Sequence, residues 1–215
     1  MRLHRVALIV LIATGCAGFP SEVPVTDPRV RMEFPAFSVL PPSGDGWVLR
    51  RAQIQGMDFI AFRKELGNPT HTVGAVVATH GVRPDLVGFP DYRVKPEVFA
   101  RFVETTLVRS NPPPPRGRMR NLKYAVVPDS RLGYCAKQIT KAEDVGSPFS
   151  KDTKEGFLLQ EDFSYYCLHP DSPTVAIEIN VSEHAKVDEL LGQDNPAIKQ
   201  IRERFLDSFQ FRKLN

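Results

Sequence analysis

The sequence predicts a single α+β domain, an antiparallel sheet with two main helices packed on it. Three observations carry that expectation. Runs with strand-like patterning recur along most of the chain. Two segments, near residues 97–109 and 196–209, show helical spacing of apolar residues instead. The links between neighbouring strand runs are of hairpin length, which favours antiparallel pairing. The 215 residues suffice for one core, and a chain 42% hydrophobic and 25% charged has a globular composition. Disorder, collagen and coiled coil are thereby excluded. A net charge of +3 is too small to indicate a nucleic-acid partner.

The elements follow in order. Residues 17–33, with Pro20, Pro24 and Pro28, read as a flexible tether, and the domain is expected to begin at Phe34. Trp47 to Arg51 follows a Pro/Gly turn and reads as a strand. Asp58 to Glu65 is a second strand. Gly67-Asn68-Pro69 turns the chain into a third, Thr70 to Thr79. Val73, Ala75, Val76, Val77 and Ala78 are apolar on both faces of that run, the mark of a central strand. Glu97 to Arg109 is a helix whose stripe is Phe99, Phe102, Val103, Thr106 and Leu107. Asn111 and Pro112 to Pro115 stop it.

A strand near Leu122 to Val127 comes next, then two more at Leu132 to Ala142 and Phe157 to His169. Val175, Ile177, Ile179 and Val181 alternate with Ala176, Glu178 and Asn180, the pattern of a half-buried strand. Asn195 caps and Pro196 opens the last helix, with Ile198, Ile201, Phe205 and Phe209 on its buried side. This element order resembles the PsbP-like fold of exported bacterial and chloroplast proteins. The resemblance implies a fold and no activity.

Cys135 and Cys167 fall in the two strands flanking a turn-rich segment, 146–151. Folded symmetrically about Lys151, that hairpin opposes residues whose numbers sum to 302, and the two cysteines do. Opposed Cα atoms lie within reach of a disulfide, so a cross-strand staple is expected. A redox pair or a metal site is the alternative reading. No Cys-x-x-Cys motif accompanies the pair.

The amino terminus is an address rather than part of the fold. Arg2 and Arg5 precede the apolar run Val6 to Ala13, which is too short for the roughly 20 residues that span a bilayer. Ile12-Ala13-Thr14-Gly15-Cys16 resembles the bacterial lipoprotein box. The resemblance implies diacylglyceryl transfer to Cys16, cleavage after Gly15 and acylation of the new amino terminus, palmitate included. Ala13 stands where leucine is commonest in that box. Ala17 after the cysteine, rather than aspartate, implies an outer-membrane address facing the periplasm. The alternatives are a secretory signal cleaved after Ala17 and an uncleaved anchor. Cleavage after Gly15 removes Arg2 and Arg5 from 28 basic residues and none of 25 acids, leaving +1.

Motifs for catalysis are missing. There is no Gly-x-Ser-x-Gly elbow, no His-Glu-x-x-His, no P-loop and no Gly-x-Gly-x-x-Gly. His71, His80, His169 and His184 are read as scattered surface or turn histidines, so no metal and no cofactor are expected. Glu161 and Asp162 beside Ser164 are a common strand pairing, and no catalytic residue is assigned. Arg109, Arg116, Arg118, Arg120, Lys123 and Arg131 oppose one acid, Asp129, in a basic stretch. Glu143, Asp144, Asp152, Glu155, Glu161 and Asp162 make the following hairpin acidic against Lys151 and Lys154. Arg116, Arg118 and Arg120 are therefore either a dock for an anionic partner or the counter-charge of that hairpin. Together these features predict a membrane-anchored envelope lipoprotein that binds a protein or other envelope component without catalysis. A spatially assembled hydrolase and a small-ligand or lipid binder are the alternatives.

Overall fold

A computed structural model of the chain describes residues 22–54, 57–82, 95–110 and 118–214. Cys16, Arg116 and Pro112 to Pro115 lie outside the described residues, as do the side chains of Thr106 and Leu107. Eight strands pair antiparallel in the order β1-β4-β5-β6-β10-β9-β8-β7. They are β1 (Val23–Pro24), β4 (Val48–Ile54), β5 (Met57–Glu65), β6 (Thr72–Gly81), β7 (Met119–Asp129), β8 (Cys135–Asp144), β9 (Leu158–His169) and β10 (Ser172–Ala185). A second sheet, unforeseen from the sequence, orders β11 (Gln210–Phe211), β3 (Phe37–Val39) and β2 (Met32–Glu33). Among the described residues the α-helices are α1 (Pro96–Ser110) and α2 (Pro196–Ser208). The protein is mostly sheet, so α+β describes it only loosely.

The β8–β9 hairpin keeps the register expected of it. Every pair from Cys135 with Cys167 to Asp144 with Leu158 sums to 302. The two cysteines form a disulfide with their Cα atoms 4.0 Å apart. Leu168 N donates to Tyr134 O at 2.9 Å, so the cysteines occupy a non-hydrogen-bonded position, where opposed side chains come closest. Lys141 Nζ reaches its partner Glu161 across the same hairpin at 2.6 Å.

Side chains alternate across this sheet, and each face has its own cover. One face carries Ile60, Phe62, Val73, Ala75, Val77, Tyr165, Cys167, Ile177, Ile179 and Val181. Ile198, Phe205 and Leu206 of α2, with Phe37 and Val39 of the small sheet, seal it. Asn195 Oδ1 accepts from Ala197 N at 2.9 Å and Pro196 opens α2, as the sequence dictates. On the other face, Phe99, Ala100 and Val103 of α1 pack on Ala136, Tyr166, Leu168 and Ala176. The two helices therefore lie on opposite faces.

Three expectations need correction. Residues 22–33 do not run free: Val23 and Pro24 pair with Leu49 and Val48, and Met32 and Glu33 pair with Val39 and Ser38. Glu22 also holds Arg50 at 3.0 Å. The histidines are not surface residues, since each side chain is almost wholly covered and has a polar neighbour, although His71 does close the Asn68–His71 turn. His71 Nε2 lies 2.8 Å from Glu183 Oε1, whose carboxylate also accepts from Leu191 N and Gly192 N. His169 Nε2 faces the carbonyls of Ala36 and Arg212, at 3.2 and 2.9 Å. Finally, β10 is not half-buried. Glu178, Asn180 and Ser182 are buried, as are Ile179 and Val181 between them.

Candidate functional site

That last correction exposes the site. β10 is flanked by β6 and β9, so neither of its faces is an edge, and its polar face is shared with its neighbours. Register fixes who shares it. Gln138 opposes Ser164, which opposes Asn180. Thr140 opposes Asp162, which opposes Ser182. Gln160 opposes His184, and Tyr166 opposes Glu178. Gln138, Thr140, Gln160, Asp162, Ser164, Glu178, Asn180, Ser182 and His184 are each between 1% and 8% exposed. A polar layer of this kind inside a protein is costly unless its groups satisfy one another.

Much of it is satisfied. Gln138 Nε2 donates to Thr140 Oγ1 at 2.7 Å, and Asn180 Nδ2 donates to Ser164 Oγ at 2.7 Å. Gln160 Nε2 donates to both oxygens of Asp162, at 2.8 and 2.7 Å. Tyr166 OH donates to Glu178 Oε1 at 3.0 Å, and His80 Nε2 lies 2.9 Å from Glu178 Oε2. Arg118 makes a two-pronged pair with the fully buried Asp144, its Nε at 2.6 Å from Oδ1. Gly74 leaves the room that Ser182 needs: a Cβ there would stand 2.9 Å from Ser182 Oγ.

The remainder is conspicuous. Among the described residues, the buried side-chain polar atoms without a hydrogen-bond partner are Arg50 Nε, Gln138 Oε1, Gln160 Oε1 and His184 Nε2. Strand pairing puts all four on this one face, three of them within β8, β9 and β10. A buried polar atom left unpaired costs about 1–3 kcal/mol, so three of them on adjacent strands of one face call for an explanation. The Asp162 carboxylate fixes which way the Gln160 amide points, and so makes its oxygen the orphan. His184 Nδ1 faces Asp144 Oδ2 at 3.8 Å, beyond hydrogen-bond reach. Burial holds the His184 pKa down at about 4, against the pull of Asp144, so near neutral pH the two are no ion pair.

Asp162 completes the set. Burial raises its pKa to about 7, and the Glu178 and Asp144 charges push the same way against the Gln160 and Asn180 hydrogen bonds. Tyr166 is likewise pushed well above its ordinary value by burial and by Glu178. The face therefore presents acceptors in excess of donors around a carboxylate with no cation against it.

The residues singled out from the sequence lie elsewhere. Cys135 and Cys167 are the staple on the opposite face. Arg118 is bound to Asp144, while Arg120 pairs with Glu143 at 2.6 Å and stacks over Phe157. The two described arginines of the basic patch thus contact the acidic hairpin that follows it. Cys16 and Arg116 lie outside the described residues. Among the described residues no group of three His, Cys, Asp or Glu is placed to hold a metal. No described helix is long and apolar enough to cross a membrane. No protein-family profile matches the chain, and no curated protein matches it.

Proposed function

We propose that this is an exported envelope lipoprotein, acylated at Cys16 and held at the outer membrane facing the periplasm, whose domain binds a small polar ligand without catalysis. The lipoprotein part rests on the box ending at Cys16 and on the short apolar run before it. Two acyl signals on one cysteine are enough for stable anchoring. The likeness to the PsbP-like fold belongs to the same proposal, as a fold only.

One observation carries the binding part: three orphaned polar atoms lie on a single buried face, on the strand of Asp162 and its two neighbours. Natural folds retain such stability costs chiefly where a site needs them. The reading is one of binding because the face offers acceptors rather than a poised nucleophile. The hydroxyls of Thr140 and Ser164 accept from amides, and among the described residues no imidazole stands within hydrogen-bond distance to take the proton of either. A protein partner is the second reading, favoured by the exposed Val127 and Ile139 near the β7 edge.

Two measurements test the proposal. An alkyne analogue of palmitate, fed to a two-membrane bacterial host, is expected to label the chain but not Cys16→Ser. Equal labelling of both would overturn the anchor. The full chain, purified in detergent, is expected to release a small molecule on denaturation, detected by mass spectrometry. A Gln138→Leu/Gln160→Leu variant is expected to release none. Identical extracts from the two would overturn the site.

A further inference from the structure

The chemistry of the face narrows the ligand class, an inference that rests on the binding reading above. We infer that the face formed by β8, β9 and β10 binds a primary ammonium group, with Asp162 as its counter-charge and Gln138 Oε1 and Gln160 Oε1 as its neutral acceptors. An alkylammonium carries three N–H donors and no acceptor. The face offers one carboxylate and two amide oxygens, three acceptors for three donors.

Placement agrees with number. Gln160 is two residues from Asp162 on one strand, about 7 Å away between Cα atoms. Gln138 sits diagonally across on β8, at a similar spacing. Both amides are long enough to lean over the carboxylate, and Gln160 already does. His184 Nε2, beside Gln160, is a further unpartnered ring nitrogen for a second polar group on the ligand.

Charge selects a cation over a neutral hydroxyl compound. Among the described residues, the titratable and charged groups on the face of Asp162 include Arg118 and, from β8, Asp144, Tyr166 from its own strand, Glu178 and His184 from β10, His80 from β6, Arg63 from β5 and Arg50 from β4. Asp144 is already matched by Arg118, and Glu178 holds Tyr166 and His80. His184 is neutral near pH 7. Asp162 itself has only the amides of Gln160 and Asn180 against it. An anionic ligand would meet those carboxylates, while the described arginines on the face, Arg50, Arg63 and Arg118, are already paired with Glu22, Glu65 and Asp144, and a diol would leave the charge uncompensated. Binding an ammonium requires Asp162 ionised, so its proton passes to solvent as the ligand enters. Affinity should therefore fall below the Asp162 pKa of about 7.

A matched series provides the test, with the full chain in detergent titrated calorimetrically with 1,5-diaminopentane, 1,5-pentanediol and glutarate. The diamine is expected to bind, and to bind about 30-fold more weakly at pH 5.5 than at pH 8, the factor by which Asp162 ionisation changes. Asp162→Asn should weaken it at least about tenfold and flatten the pH dependence. Gln138→Leu, which leaves the carboxylate in place, should also weaken it about tenfold. Asp152→Asn/Glu155→Gln, on the exposed hairpin turn, should leave it unchanged. A diol bound as tightly as the diamine would overturn the ammonium while leaving a polar ligand standing. Binding insensitive to Asp162→Asn, or loss with the exposed-turn variant, would overturn the placement. No binding by any of the three would overturn the inference, while the copurification measurement decides the binding reading independently.

Discussion

Replacing Asp162 with asparagine should make the protein more stable, and only at neutral and alkaline pH. The carboxyl pKa rises from 3.8 to about 7 in the fold. The folded state therefore holds a proton that the unfolded chain has released between those values. Stability from this group is complete below pH 3.8 and is lost as pH rises to 7. About 3 pKa units at 1.36 kcal/mol each give a loss of about 4 kcal/mol, which the neutral amide would not suffer. His184 has the opposite sign. Its pKa falls from 6.5 to about 4, so its contribution is complete above 6.5 and lost as pH drops toward 4, by about 3 kcal/mol. Between pH 4 and 6.5 the two slopes nearly cancel in the native protein. Asp162→Asn should unmask the histidine, so that stability rises with pH across that window. The assay is urea unfolding of the full chain from pH 4 to 8, followed by the fluorescence of Trp47, the single and well-buried tryptophan. The variant should match the native protein near pH 4 and exceed it by about 4 kcal/mol at pH 8. A variant less stable at pH 8, or a gap that does not change with pH, would refute the reasoning.

Three further outcomes follow from contacts described above. Gly74→Ala should cost on the order of 1–3 kcal/mol, because its methyl meets Ser182 Oγ at 2.9 Å, and Gly74→Ala/Ser182→Ala should recover most of the loss in the same unfolding assay. Cys135→Ala/Cys167→Ala should lower stability by roughly 3–4 kcal/mol for a bridge spanning 32 residues, and a loss under 1 kcal/mol would count against the staple. Arg118→Ser strips the fully buried Asp144 of its cation and should cost about 3–5 kcal/mol, whereas Arg120→Ser, on a part-exposed pair, should cost under about 1 kcal/mol. Comparable losses from the two arginines would show that burial does not set their weight.

The hairpin, the helices and the centre of the sheet were legible because each has a local cause. A symmetric turn set the register of Cys135 and Cys167, Asn195 and Pro196 set the start of α2, and two-faced apolarity put β6 in the interior. The strands β1, β2 and β11 were not legible, being two residues long each and held by pairing with distant segments. The polar face was misread for a different reason. Alternation of Ile177 and Ile179 with Glu178 and Asn180 is the pattern of a strand with one wet face. Whether that face is covered is decided by the tertiary fold, and the strands that share it with β10 lie 8 to 112 residues away in sequence. A signal was nonetheless present: the 302-sum register already set Gln138 against Ser164 and Thr140 against Asp162. Polar residues facing one another across paired strands point to a shared polar layer, whereas isolated alternation points to solvent. The histidines were missed likewise, since each one's partner (Glu183, Glu178, Ala36 and Asp144) lies far along the chain.

The central claim is that the face of β8, β9 and β10 is a ligand site and not a structural polar layer. A crystal structure of the full chain grown with 1,5-diaminopentane at pH 8 tests it most directly. The account predicts one ammonium nitrogen about 3 Å from the Asp162 carboxylate, with Gln138 Oε1 and Gln160 Oε1 as its other partners. Ordered water at each orphaned atom, with no diamine on the face, would contradict it.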